Sequence, residues 1–107
     1  MAQLSAADLA AWRADPTRPA PLILDVREPW ELAICRFEGA TAIPLGQLPH
    51  RLGEIAASRP VVCVCHHGAR SQHAAMLLNH VGRTEVFNLR GGVAAWAETV
   101  DPAMARY

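Results

Sequence analysis

Cys65-His66-His67-Gly68-Ala69-Arg70-Ser71 is the segment of this 107-residue chain whose residue types and spacing could do chemistry. A cysteine is a competent nucleophile as its thiolate, and backbone N–H groups and a nearby cation favour that form. The segment starts at the last residue of Val61-Val62-Cys63-Val64-Cys65, an apolar, β-branched run that reads as a buried strand, and it precedes a helical run from about Ser71. In open α/β sheets, ligands bind outside the carboxyl ends of strands. A loop passing there from strand to helix aims several N–H groups at one point and adds the positive end of the helix. Cys65 is therefore expected to be a nucleophile, with the N–H groups of residues 66 to 70 (His66, His67, Gly68, Ala69 and Arg70) and the Arg70 side chain forming an anion cradle. Gly68 would allow the backbone to turn through positive φ, and Ala69 leaves the mouth uncrowded. Ser71 is expected to cap the next helix and to donate its hydroxyl toward the sulfur.

The charge pattern fits such a site. Ten arginines balance ten carboxylates and there is no lysine, so no global charge invites nucleic acid or a membrane surface. Between Glu54 and Glu85, however, there is no carboxylate, while Arg59, Arg70, Arg83 and four histidines fall inside that stretch. A site built there prefers anions. Three cysteines, an odd number without a disulfide-framework spacing, fit a reducing compartment. No apolar run is long enough for a membrane span, and Asp8 and Asp15 stand where a secretion signal would be basic and then apolar, so a cytoplasmic protein is expected.

The elements that must position this loop can be read from the rest of the chain. Its length suits one domain over residues 1–107, and the hydrophobic fraction of 51% excludes disorder even though twenty of the residues are alanine. Ser5 and Asp8 signal a helix start, with Leu9 and Trp12 on its apolar face and Pro16 beyond its end. Leu22-Ile23-Leu24-Asp25-Val26 reads as a central strand, Pro29 to Ala33 as a brief helix, and Ala42-Ile43-Pro44 as a second short strand. Leu45, Leu48, Leu52, Ile55 and Ala56 recur at helical spacing despite Pro49. A helix from Ser71 closed by Gly82, a strand over Glu85 to Leu89, and a last helix after Gly91-Gly92 that carries Trp96 complete the pattern. Strands alternating with helices imply an α/β protein with a mostly parallel, helix-covered sheet.

Cys-x-x-Gly-x-Arg-Ser after such a strand resembles the active loop of the rhodanese family of sulfurtransferases. Three further stretches agree, in the family's order: Asp25-Val26-Arg27-Glu28 with Glu31, Glu38-Gly39-Ala40 through Ile43-Pro44, and Leu89-Arg90-Gly91-Gly92 before Trp96. Where the family often has histidine ahead of the second of these, this chain reads Cys35-Arg36-Phe37-Glu38. The resemblance covers nearly the whole chain and implies a rhodanese-like fold, with a five-stranded, mainly parallel sheet flanked by helices on both faces. It implies sulfurtransferase activity: a Cys65 persulfide formed from thiosulfate or a similar small anionic donor, then emptied by a thiol or by cyanide, which would be only a convenient assay acceptor. No metal or organic cofactor is expected, and a sulfur-relay protein is a conceivable partner.

Competing readings follow from the same residues. Arg70 could serve as a structural ion pair with Asp25 or Glu31 while also facing substrate. Asp25 and Arg27 are expected to order the loop rather than touch substrate. Cys63 lies on the same strand face as Cys65, but strand residues i and i+2 are about 6.6 Å apart, at the limit of disulfide geometry, so Cys63 and also Cys35 are read as packing. Cys63, Cys65, His66 and His67 cannot readily converge on one zinc tetrahedron. Cysteine phosphatases and arsenate reductases also run cysteine to arginine after a strand, but with one residue more than the four between Cys65 and Arg70. From another class, a persulfide carrier or a non-catalytic rhodanese-like binding module for a protein partner remains as the alternative.

Overall fold

The computed structural model describes residues 1–107. In chain order the elements are β1 (Ala2–Leu4), α1 (Ala6–Ala14), β2 (Leu22–Asp25), α2 (Pro29–Leu32), β3 (Thr41–Ala42), two 3₁₀ segments (Leu45–His50 and Leu52–Glu54), β4 (Val61–Val64), α3 (Ala69–His80), β5 (Val86–Leu89) and α4 (Gly92–Thr99). The five strands form one sheet in the order β1-β5-β4-β2-β3, and every pairing is parallel. β4 sits in the middle, and all four of its residues are buried because helices cover both faces. From β2 the chain moves outward to β3, whereas from β4 it moves the other way to β5. The crevice between the carboxyl ends of β2 and β4 is thus the switch point of the sheet, where an α/β fold offers a binding site.

Alternation along the strands sorts the core into two layers. Leu22, Leu24, Cys63, Cys65 and Val86 face α3 and the 3₁₀ segments, where they meet Ala74, Ala75, Leu78, Leu48 and Ile55. Ile23, Val62, Val64 and Leu89 face the opposite way, against Leu9 and Trp12 of α1 and Val93 and Trp96 of α4. The α1 start is as expected, with Ser5 Oγ accepting the Asp8 N–H at 3.0 Å.

Two expectations are corrected. Residues 45–56 do not form one α-helix, because Pro49 has no N–H and its ring opposes the carbonyl four residues back, while Gly46 and Gly53 weaken helix formation; two 3₁₀ segments result. The sequence reading also lacked the edge strand β1, which pairs with β5 through only three residues, Ala2 to Leu4, and is mostly exposed. No helix is long and apolar enough to cross a membrane.

Candidate active site

Cys65 is the first residue beyond β4, and its Sγ accepts the Gly68 N–H at 3.0 Å. Gly68 makes this turn at φ +109°, in a place where a Cβ would meet the Gly91 nitrogen at 3.2 Å, so a side chain there would meet both strain and crowding. The N–H groups of His66 and His67 bond to no other residue. Ala69, Arg70 and Ser71 form the first turn of α3, where N–H groups lack a partner within the helix. The loop therefore presents a concentration of donors and a helix N-terminus beside one sulfur.

The start of α4 takes up the carbonyls at the beginning of the loop. Val93 N–H donates to the Cys65 carbonyl at 2.9 Å and Ala94 N–H to the His66 carbonyl at 3.1 Å. These bonds hold both carbonyls against α4. The approach is possible only because residue 92 is glycine: a Cβ there would lie 2.3 Å from the Cys65 oxygen and 2.4 Å from that of His66.

On the other side of the sulfur lies a buried polar pair. Ser71 Oγ is 3.3 Å from Cys65 Sγ and 2.5 Å from Asn88 Oδ1. The Asn88 amide is oriented by donation from Nδ2 to the Gly68 carbonyl (3.2 Å) and to Gln3 Oε1 (3.0 Å). A serine has one hydroxyl proton. It can rest on Asn88 while the sulfur is a thiol, and turn to the sulfur when that atom is ionised. Asn88 reaches this position because β5 pairs it with Cys63, which puts its side chain on the α3 face of the sheet.

The segment after β2 closes the flank. Asp25 and Arg27 form a fully buried pair: Arg27 Nη2 donates to Asp25 Oδ2 at 2.8 Å and Nε to Oδ1 at 3.0 Å. The remaining Arg27 donors reach the Cys35 carbonyl, Cys35 Sγ and the Tyr107 hydroxyl, so every N–H of a charged group removed from water has an acceptor. Glu31 binds both terminal nitrogens of Arg70, at 2.6 and 2.8 Å. This bidentate clamp, helped by the Tyr107 hydroxyl, holds the Glu31 carboxyl down at about 2 against the opposing effect of burial. The Arg70 side chain is still 37% exposed, and two of its five N–H groups serve the clamp, so the guanidinium edge can also meet an anion arriving from solvent.

The structure brings Cys65, His66, His67, Gly68, Ala69, Arg70 and Ser71 together as one loop and first helical turn, and it settles the partner of Arg70 as Glu31, not Asp25. Asp25 and Arg27 lie behind that loop, away from solvent. Ser71 does not cap α3: the helix begins at Ala69 with Gly68 at the cap position, and the serine hydroxyl is spent on Asn88 and the sulfur. Of the loop N–H groups, Gly68's is the one within bonding distance of the thiol sulfur. The His66 and His67 rings stack at 3.9 Å, and burial, with His67 alongside, lowers the His66 imidazole below its ordinary value and favours the neutral ring. Cys63 is buried in the core and its thiol is pushed up to about 12, by burial first and by Cys65 second. No three His, Cys, Asp or Glu side chains are grouped to hold a metal ion. Asn88, Gly92 and Tyr107 are the members of the site that sequence reasoning did not assign. Asn88 left one signal, a lone polar residue in the run Val86-Phe87-Asn88-Leu89.

A parallel sheet with a cysteine loop at its switch point, closed by an arginine in the next helical turn, defines a class that comparison with known proteins makes specific. The rhodanese-like domain model matches residues 5–99, and the chain belongs to that family. It is 40% identical over 84 residues to a sulfurtransferase of Allochromatium vinosum, covering 78% of each protein. It is 37% identical to the thiosulfate sulfurtransferase GlpE of Shewanella oneidensis, covering 71% of this chain and 75% of that protein. Among solved structures, the rhodanese-related protein of Thermoplasma volcanium superposes with a TM-score of 0.84 at 28% identity, over 94% of both chains.

Proposed function

We propose that this chain transfers a sulfane sulfur from thiosulfate, or a donor of the same chemistry, to a thiophilic acceptor through a persulfide on Cys65. The observation that carries the reading is the Cys65 sulfur bonded to the Gly68 N–H at 3.0 Å, inside a loop whose other N–H groups are free to meet an anion. The Cys65 thiolate attacks the outer sulfur of thiosulfate; a new S–S bond forms while the donor's S–S bond breaks, and its electron pair leaves with sulfite. The outer sulfur of the persulfide carries the negative charge, and the loop N–H groups and helix N-terminus are aimed to receive it. Attack by cyanide or a thiolate on that sulfur releases thiocyanate or a new persulfide and returns Cys65 as thiolate. No oxidant, reductant, metal or organic cofactor enters either half.

Arg70 draws the dianionic donor to the mouth, and its bond to Glu31 keeps it there. The cradle spans four residues between Cys65 and Arg70, a size that suits a sulfur atom better than a phosphate tetrahedron. Turnover of thiosulfate and cyanide to thiocyanate by the wild type, and none by Cys65→Ala, is the expected result. Hydrolysis of an aryl phosphate that depends on Cys65 would sink the reading in favour of a phosphatase.

One observation favours a persulfide carrier serving a protein partner as the second reading. Trp30 is 62% exposed beside Glu31, at the rim of the site, where a protein acceptor would dock. Such a carrier would load poorly from thiosulfate and readily from a cysteine desulfurase. Neither reading calls for nucleic acid or a membrane.

A further inference from the structure

The segment after α4 turns back across the carboxyl end of the sheet. Met104 N–H donates to the Asp101 carbonyl at 3.0 Å, its side chain packs on the layer shared with α1 and α4, and Arg106 Nη2 donates to the Ala97 carbonyl at 3.1 Å. This path lays the Tyr107 ring flat on His66, with centroids 3.8 Å apart and planes within 15°. The Tyr107 hydroxyl donates to Glu31 Oε2 at 2.6 Å and accepts from Arg27 Nη1 at 3.1 Å. Burial pushes that hydroxyl up to about 12, so it remains a donor through neutral pH. Glu31 is the same carboxylate that grips Arg70.

His66 and Arg70 are the first and last residues between Cys65 and Ser71. Tyr107 touches the first directly and reaches the second through one carboxylate. The loop has few bonds of its own, since the backbone N–H groups of His66 and His67 donate to no residue, so its shape is imposed from outside. α4 imposes it at the carbonyls of Cys65 and His66; Tyr107 adds a second restraint, on the His66 ring. A tail aromatic that merely covered apolar area would have no need of a hydroxyl set between a carboxylate and a guanidinium.

We propose that Tyr107 is a positioning residue for the Cys65 site, its ring on His66 and its hydroxyl on Glu31 holding the two ends of the loop at the separation that keeps the Gly68 N–H on the sulfur. The inference rests on the reading of Cys65 as the nucleophile that takes up sulfur. Misplacing a reacting group by about 1 Å costs up to about 10²-fold in rate, and loosening one of two restraints accounts for part of that.

The test compares wild type, Tyr107→Phe and Tyr107→Ala at equal folded fraction, by single-turnover sulfur loading from thiosulfate and by alkylation of Cys65 with iodoacetamide, which needs no sulfur donor. Tyr107→Ala is expected to lower the maximal loading rate about tenfold with the half-saturating thiosulfate concentration unchanged. Tyr107→Phe keeps the ring and loses the hydroxyl, and is expected to lose about threefold. Alkylation should slow in the same order. If Tyr107→Ala fails to fold, Tyr107→Phe carries the test alone. Wild-type loading and alkylation rates in the variants, with only the thermal midpoint moved, would overturn the proposal. Should the wild type accept no sulfur while alkylation still falls from Tyr to Phe to Ala, the sulfur-transfer reading fails and the positioning role stands.

Discussion

Cys63 and Cys65 are separated by one residue, face the same side of the sheet and are equally hidden, at 0% and 1% exposure. Their surroundings differ in kind. Cys63 lies within β4, between Leu24 on one neighbouring strand and Asn88 on the other, and burial pushes its thiol up to about 12. Cys65 lies one step past the last strand residue, where the backbone N–H groups are no longer committed to a sheet ladder, and one of them donates to its sulfur. Burial alone therefore does not decide what a thiol can do. What decides it is whether the neighbouring backbone is still spending its donors on secondary structure.

The largest difference should appear on removing each sulfur. Cys65→Ala is expected to lower sulfur transfer by about 10³-fold or more, while Cys63→Ala leaves the rate near wild type and costs about 1 kcal/mol of stability by opening a small cavity. Steady-state assays and urea unfolding of both variants would check this; comparable activity losses would erase the contrast.

Gly92→Ala comes next. The added Cβ would meet backbone oxygens of Cys65 and His66 at 2.3 and 2.4 Å, atoms that cannot move aside as a side chain end could. A loss of about 3 kcal/mol in unfolding free energy is expected, with the Cys65 loop displaced and Cys63 still unreactive toward iodoacetamide.

Asn88→Ala should be milder. It strips the Gly68 carbonyl of a buried donor and Ser71 of its acceptor, which costs about 2 kcal/mol. Sulfur loading at Cys65 is expected to slow about tenfold as the serine hydroxyl loses its fixed partner, since about 1.4 kcal/mol of misalignment is a factor of ten.

The last effect shows only at acid pH. The folded-state Glu31 carboxyl sits at about 2, below its ordinary 4.5, so its contribution to stability is complete above about 4.5 and is lost as pH falls through about 2. Unfolding curves of wild type and Glu31→Gln should converge over that window, and curves that stayed parallel would show that the Arg70 clamp adds nothing to folding.

The loop itself was legible because strand, glycine, arginine and helix start are local signals, all within Val61 to Ser71. Apolar, β-branched runs, helical spacing and proline and glycine signals likewise revealed four of the five strands and the four α-helices. What escaped depends on long-range pairing. Nothing in Ala2-Gln3-Leu4 signals a strand until β5 lies beside it, and nothing in the tail signals that Tyr107 meets Glu31, a residue from the other half of the chain. Gly91-Gly92 was visible as a turn and as a shared family feature, but its physical reason, two carbonyls of the cysteine loop in the space of a Cβ, exists only once α4 is docked. The helix expected over 45–56 failed for a local reason, the weight given to apolar spacing over Pro49.

The most direct measurement is intact-protein and peptide mass spectrometry after brief thiosulfate treatment of the wild type, Cys63→Ala and Cys65→Ala. A gain of one sulfur atom in the first two only, mapped to Cys65 and removed by cyanide, is the predicted result. Sulfur found on Cys35 or Cys63, or retained in Cys65→Ala, would contradict the account.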